Sequence, residues 1–290
     1  MQYVGRFAPS PSGPLHFGSL VAALGSYLQA RANQGHWLVR IEDIDPPREV
    51  KGSADAILHT LDAYGLHWDD TVLYQHTRYD AYQSQIETWL NDENAYFCQC
   101  TRRQIKDSGG IYLGTCRHRT LNSEHSAVRI CIDNPVAEFI DIKHGTIQMD
   151  STMATEDFII KRRDGLFAYN LAVVLDDIYQ GVTEVVRGAD LIEPTGRQVS
   201  LYQKLDASPV SYLHLPLALN ADGNKLSKQN HAPAIDNANP GPALEAAMAF
   251  LGHHVPVDLH GANREELLLW GIENWQIRKL PIATEVITAF

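Results

Sequence analysis

The first third of the chain alternates between two hydrophobic periods. Tyr3 to Ala8 alternates loosely and predicts a strand. Residues 19–32, SLVAALGSYLQARA, place Leu20, Leu24, Tyr27 and Leu28 at helical spacing, with Gly35 as the expected stop. HWLVRIED (36–43) predicts a second strand and DAILHTLDAYGL (55–66) a second helix. Strand, helix, strand, helix predicts a parallel α/β sheet. The pattern then breaks. Residues 80–95 are helical in period, 97–119 are rich in Cys, Arg and Gly, and 127–163 carry short alternating stretches such as AVRICID and EFIDIKHGTIQM. LAVVLDDIYQGVTEVVRGADLI (171–192) reads as a return to the sheet, and GRQVSLYQKL as a further helix. Two amphipathic helices are expected near 241–252 and 263–275.

A chain of 290 residues is long for one core, so one large domain with an insertion or a second small domain is expected. Apolar content of 44% and charged content of 20% are those of a soluble globular enzyme. No stretch approaches the roughly 18 apolar residues of a membrane span, and no basic segment precedes an apolar one at the N-terminus. A cytoplasmic protein with no membrane partner is expected. The net charge of −11 argues against a general nucleic-acid coat, because phosphate affinity comes largely from Lys and Arg. One segment runs against that balance: Arg102, Arg103, Lys106, Arg117 and Arg119 stand against a single acid, Asp107. The same segment holds Cys98, Cys100 and Cys116, three of the four cysteines. Such clustering suggests a metal rather than disulfides. Zinc takes four ligands, and residue chemistry leaves His118 and Cys131 open as the fourth.

Two loops carry candidate phosphate chemistry. Between the first strand and helix lie Pro9, Pro11 and Pro14, then His16, Gly18 and Ser19 at the helix start. Free N–H groups and the helix dipole favour anions there, and glycine permits close approach. Taken alone, the stretch also fits a turn with an incidental histidine. The second loop, NKLSKQN (224–230), sets Lys225 and Lys228 three apart after Gly223. Paired lysines are commonly a solvated surface, but on a loop they suit a clamp on a triphosphate.

Together the loops are specific. PSPSGPLHFGS resembles the HIGH motif and KLSKQ the KMSKS motif of class I aminoacyl-tRNA synthetases. GRFAPSPSGPLHFGSL, LVRIEDIDPPR and VVRGADLIEPTGRQVSLYQKL are similar to the glutamyl-tRNA synthetase group, over about residues 4–230. Ser19 departs from the HIGH pattern, which often has Gly or His, and Leu226 replaces Met. The resemblance implies a Rossmann-like doubly wound parallel sheet in two halves (1–80 and 166–230). It also implies an inserted zinc-containing subdomain (81–165) and a short helical C-terminal region (231–290). Only 62 residues follow Lys228, so an anticodon-binding domain is not expected. Stand-alone catalytic halves of this kind form a family that attaches glutamate to the queuosine base in the anticodon loop of tRNA(Asp).

The site residues follow from the resemblance. His16, Lys225 and Lys228 are the expected catalytic residues, with His16, Gly18, Ser19 and Lys228 around ATP. Arg6 and Arg187 match the carboxylate-binding arginines, Glu42 the acid that receives the α-ammonium, and Ser10 and Tyr169 hydrogen-bonding positions around L-glutamate. Asp190, in GADL, lies near the expected adenosine position and is given no role. Mg²⁺ would accompany ATP. The family's Cys-x-Cys, Tyr-x3-Cys pattern implies structural Zn²⁺ on Cys98, Cys100, Tyr112 and Cys116, with His118 the rival to Tyr112. The expected partner is queuosine-containing tRNA(Asp), and the expected state a monomer. Two other readings keep the same residues in view: a short enzyme charging a tRNA 3′ end, and a tRNA-binding relic without catalysis. Trp68, Tyr74 and Tyr96 are offered as stacking surfaces or core.

Overall fold

The structure is a computed structural model that describes residues 2–226 and 232–288. Lys228 and the rest of 227–231 lie outside the described residues.

Chain order gives β1 (Val4–Phe7), α1 (Phe17–Ala32), β2 (His36–Ile41), α2 (Ser53–Ala63), β3 (Leu73–Tyr74) and α3 (Tyr79–Asn91). The middle stretch adds β4 (Ala95–Cys98), α4 (Arg102–Asp107), β5 (Ala127–Ile130), β6 (Glu138–Asp141), β7 (Gly145–Gln148), α5 (Ser151–Thr155) and β8 (Ile159–Lys161). Then follow α6 (Tyr169–Tyr179), β9 (Glu184–Gly188), α7 (Ile192–Lys204), β10 (Ser211–Leu215) and β11 (Leu217–Leu219). The chain closes with α8 (Gly241–Phe250), α9 (Arg264–Asn274) and β12 (Glu285–Ile287), which pairs in parallel with β11.

β1, β2 and β3 are parallel neighbours, and so are β9, β10 and β6, with β7 antiparallel at the edge. The two sets meet where Thr183 N–H donates to Val4 O at 2.9 Å. The order is therefore β3-β2-β1-β9-β10-β6-β7. Strand side chains alternate between two cores, as the pleat requires. Val186 and Leu213 enter a cluster with α1, α2, α8 and α9, whereas Val185 and Tyr212 enter one with α3, α6 and α7. Both faces are covered, which is the doubly wound arrangement the resemblance implied.

The structure also differs from the periodicity. The apolar run after 169 enters a helix, α6, before the strand β9. The left-handed residue after α1 is Gln34 (φ 53°), not Gly35. Glycine at 35 serves close approach instead: a Cβ there would lie 2.6 Å from Tyr3 O. The hairpin β6–β7, from the expected insertion, completes the same sheet as β9 and β10. Tyr96 is core, its hydroxyl donating to Asp157 at 2.7 Å. Trp68 and Tyr74 are half-buried and pack against the first cluster.

Candidate active site

The strand-to-helix turn at α1 is built to present N–H groups. Gly13 takes φ 135°, and its N–H donates to Ser53 Oγ, which in turn donates to Gly13 O, both at 2.8 Å. His16 caps α1 with an extended backbone, and its Nδ1 accepts from Ser19 N–H at 3.2 Å. With Nδ1 accepting, the ring proton belongs on Nε2, where it can be donated to a phosphate oxygen. The first turn of this 16-residue helix holds no acid, so no carboxylate of its own offsets its positive end.

The second motif packs onto the first. A Cβ at Gly18 would lie 3.0 Å from Leu226 O and 3.2 Å from the His16 ring, so glycine allows the two segments to touch. Leu226 N–H donates to Ala218 O at 2.8 Å, and Ile235 N–H to Leu15 O at 3.1 Å. Both flanks of 227–231 are thereby fixed near the start of α1. The Lys225 ammonium pairs with the Asp190 carboxylate.

A cleft of about 1130 Å³ runs from this end to the C-terminal ends of β1, β2 and β9. Every expected substrate or nucleotide residue among the described ones lines it. At the far end sit Arg6 and Arg187, both nearly buried, each held from behind. Arg6 donates to both Asp177 oxygens, at 3.0 and 3.4 Å. Asp177 Oδ1 also accepts from Arg40 at 2.7 Å, and these two cations hold its carboxyl below the usual range against the opposing effect of burial. Arg187 donates from Nε to His214 Nε2 (3.2 Å), from Nη1 to Tyr169 OH (3.4 Å), and from Nη2 to Thr195 Oγ1 (2.7 Å) and Leu191 O (3.2 Å).

Glu42 lines the same cleft with its side chain 9% exposed, 4.0 Å from Arg40. Burial pushes its carboxyl up to about 7, although Arg40 and Arg6 pull it down. Burial likewise raises the Tyr169 phenol, against Arg187, so it stays a neutral hydrogen-bonding group. Ser10 is exposed at the rim. The far end thus offers two guanidinium groups, one titratable acid and one hydroxyl. That set is complementary to a dicarboxylate bearing an ammonium.

Asp177, Arg40, Asp141 and His214 were not read from the sequence. Each is a polar residue inside an apolar run (LAVVLDD, HWLVRI, EFID, SYLHL), which was the available signal.

The cysteine cluster lies apart from the cleft. The ligand atoms of Cys98, Cys100 and Cys116 all fall within 4.8 Å of one another, the last two 3.5 Å apart. Burial and the neighbouring thiols push Cys100 up to about 12. Crowded thiols of this kind are stabilised as thiolates by a cation. The Tyr112 hydroxyl accepts from Cys116 N–H at 2.8 Å, so the phenol oxygen stands beside the thiols. The Arg129 guanidinium lies 3.7 Å over its ring, but burial raises the phenol pKa, so the anionic form would need a cation beside it. His118 is exposed and Cys131 donates towards Glu93 O at 3.6 Å; neither joins the thiol cluster among the described residues. The donor set fits tetrahedral Zn²⁺.

A parallel doubly wound sheet, a histidine-capped helix at its first crossover and a lysine-bearing loop against that cap define a class I aminoacyl-tRNA synthetase catalytic domain. Comparison narrows this. Residues 2–239 match the family of class I tRNA synthetases (E and Q), catalytic domain. The glutamyl-Q tRNA(Asp) synthetase of Photobacterium profundum is 65% identical over 285 residues, covering 98% of this chain and 92% of the relative. That of Vibrio cholerae serotype O1 is 62% identical, covering 100% and 96%. A crystal structure of a glutamate tRNA ligase from Elizabethkingia meningosepticum CCUG26117, in complex with its amino acid, superimposes with a TM-score of 0.79 at 25% identity, over 98% of this chain and 66% of that one. The chain belongs to the class I (E and Q) tRNA synthetase family and falls among its glutamyl-Q tRNA(Asp) synthetases. Among the described residues, no helix is long and apolar enough to cross a membrane.

Proposed function

We propose that the chain is an ATP-dependent ligase that activates L-glutamate and transfers it to queuosine in the anticodon loop of tRNA(Asp). In the first step a glutamate carboxylate oxygen attacks the α-phosphorus, and the bond to pyrophosphate breaks. In the second a queuosine hydroxyl attacks the acyl carbon, and AMP leaves. Neither step needs a protein nucleophile, so the work falls to positioning and charge.

Arg6 and Arg187 would hold the substrate carboxylates, Glu42 the ammonium, and Tyr169 and Ser10 further polar atoms. His16 Nε2–H and the α1 N–H groups around Gly18 and Ser19 would receive ATP phosphates. Lys225 would leave Asp190 for a phosphate, and Lys228 would join it. ATP enters as its Mg²⁺ complex, the cation held mainly by phosphate and water oxygens. Cys98, Cys100, Tyr112 and Cys116 would hold Zn²⁺, which would tie the segment after β4 into a knuckle carrying the local arginines.

The observation that supports this reading is the far end of the cleft, where Arg6, Arg187, Glu42 and Tyr169 line one cavity and offer charges complementary to those of glutamate. The names and full-length identity of the relatives support the acceptor. We also propose the division 1–80, 81–165, 166–230 and 231–290, with the hairpin of 81–165 seated in the catalytic sheet, and a cytoplasmic monomer.

Glutamate-dependent ATP–pyrophosphate exchange tests the first step, with K228A expected to abolish it. Acceptor assays follow with tRNA(Asp) containing or lacking queuosine. Labelling only of the queuosine form supports the proposal. Labelling at the 3′ end redirects it to ordinary charging, and no exchange with any amino acid refutes catalysis.

A further inference from the structure

Arg6 and Arg187 are supported in different ways. Arg6 rests directly on a carboxylate. Arg187 rests on His214, a fully buried residue whose Nδ1 is 2.8 Å from Asp141 Oδ2. Asp141 is itself fully buried, and its Oδ1 accepts from the N–H groups of Lys143 (2.9 Å) and His144 (2.8 Å). Its Oδ2 also accepts from His214 N–H at 3.0 Å.

The partners determine the tautomer. An ionised carboxylate only accepts, so the proton at Nδ1 belongs to the ring. Arg187 Nε–H only donates, so Nε2 must present its lone pair. Burial lowers the His214 pKa, and Arg187 opposes a second positive charge beside it, so the ring stays neutral. Four N–H groups of Arg187 are thereby aimed at named acceptors; the fifth, on Nη1 beside Tyr169 OH, has no hydrogen-bond partner among the described residues, and Arg187 and Tyr169 both line the cleft.

We propose that Asp141 and His214 are positioning residues for Arg187: the aspartate fixes the histidine tautomer, and the histidine aims the guanidinium's Nη1 edge at a substrate carboxylate. The inference rests on the reading of Arg187 as a carboxylate-binding residue. A neutral supporter withdraws less of the arginine's charge from the ligand than a carboxylate in the same place would.

The test is exchange kinetics with separate KM values for glutamate and ATP, together with ¹⁵N imidazole spectra. R187A is expected to raise the glutamate KM and leave that for ATP. H214L, which removes donor and acceptor alike, is expected to raise the glutamate KM about tenfold or more. H214Q offers an amide with both functions and is expected to return it to within about threefold of wild type. D141N is expected to reverse the tautomer, as an amide that donates to Nδ1 leaves the proton on Nε2 facing Arg187. In wild type, the spectra should show His214 protonated at Nδ1 alone.

If R187A raises the glutamate KM and H214L does not, the positioning role is refuted and the carboxylate reading stands. If R187A leaves that KM unchanged, both fall. Should H214L fail to fold, a wild-type ring protonated at Nε2, or an H214Q protein no better than R187A, overturns the proposal by itself.

Discussion

In the proposed site, Glu42 would make glutamate binding a proton-linked event. Its carboxyl is held near neutrality because burial outweighs the pull of Arg40 and Arg6, at about 7 in the free protein. Only the ionised form can receive an ammonium, and the ammonium in turn would draw its pKa down. The competent fraction is then about nine-tenths at pH 8 and about one-tenth at pH 6, so the apparent glutamate affinity should fall about tenfold between them. The substrate's own carboxyl groups titrate below about pH 5 and do not contribute. The sign is opposite for stability. The folded carboxyl keeps its proton where the unfolded one has lost it, so the empty fold loses stability as pH rises from about 4.5 to 7. The assay is the glutamate KM in pyrophosphate exchange at saturating ATP, read from pH 5.8 to 8, with calorimetry in two buffers to count protons released on binding. Glu42→Gln is expected to raise the KM by about 30-fold or more at pH 8, from loss of a buried charged partner, and to remove the pH dependence. A wild-type KM that is flat from pH 6 to 8, with no proton release, refutes the reasoning.

Asp177→Asn leaves Arg6 and Arg40 without their shared charge, and urea denaturation should show a loss of about 3–5 kcal/mol. Lys225→Ala should lower the exchange rate about 10²- to 10³-fold without changing the urea midpoint. Gly18→Ala puts a methyl against Leu226 O and should raise the ATP KM while leaving that for glutamate. Purified protein should carry about one zinc by elemental analysis, and Tyr112→Phe should weaken its retention against a chelator while leaving exchange unchanged.

The motifs and most elements were legible because they are local: a period of hydrophobicity, prolines before a helix, two lysines in a loop. The support behind the site was not, because its partners are far apart in the chain. Asp177 lies 171 residues from Arg6, and His214 lies 73 from Asp141. No periodicity pairs such residues. The sequence showed only that acids and a histidine interrupt apolar runs. The same holds for the fold. Periodicity placed EFIDIKHGTIQM on strands, but only the register Tyr212↔Asp141 shows which sheet they join. The thiols were legible from spacing and Tyr112 from the family resemblance, and in the structure its phenol oxygen stands beside them.

The hairpin β6–β7 sets a limit on how this chain can be cut and exchanged. A segment that looks separable on paper carries the edge of the central sheet and, through Asp141 and His214, the support behind Arg187. A chimera that swapped 81–165 whole for a relative's counterpart would replace that support along with whatever RNA surface it was meant to transfer. A graft confined to 98–126, from the last residue of β4 through the loop to β5, exchanges the knuckle and its arginines and leaves that support in place.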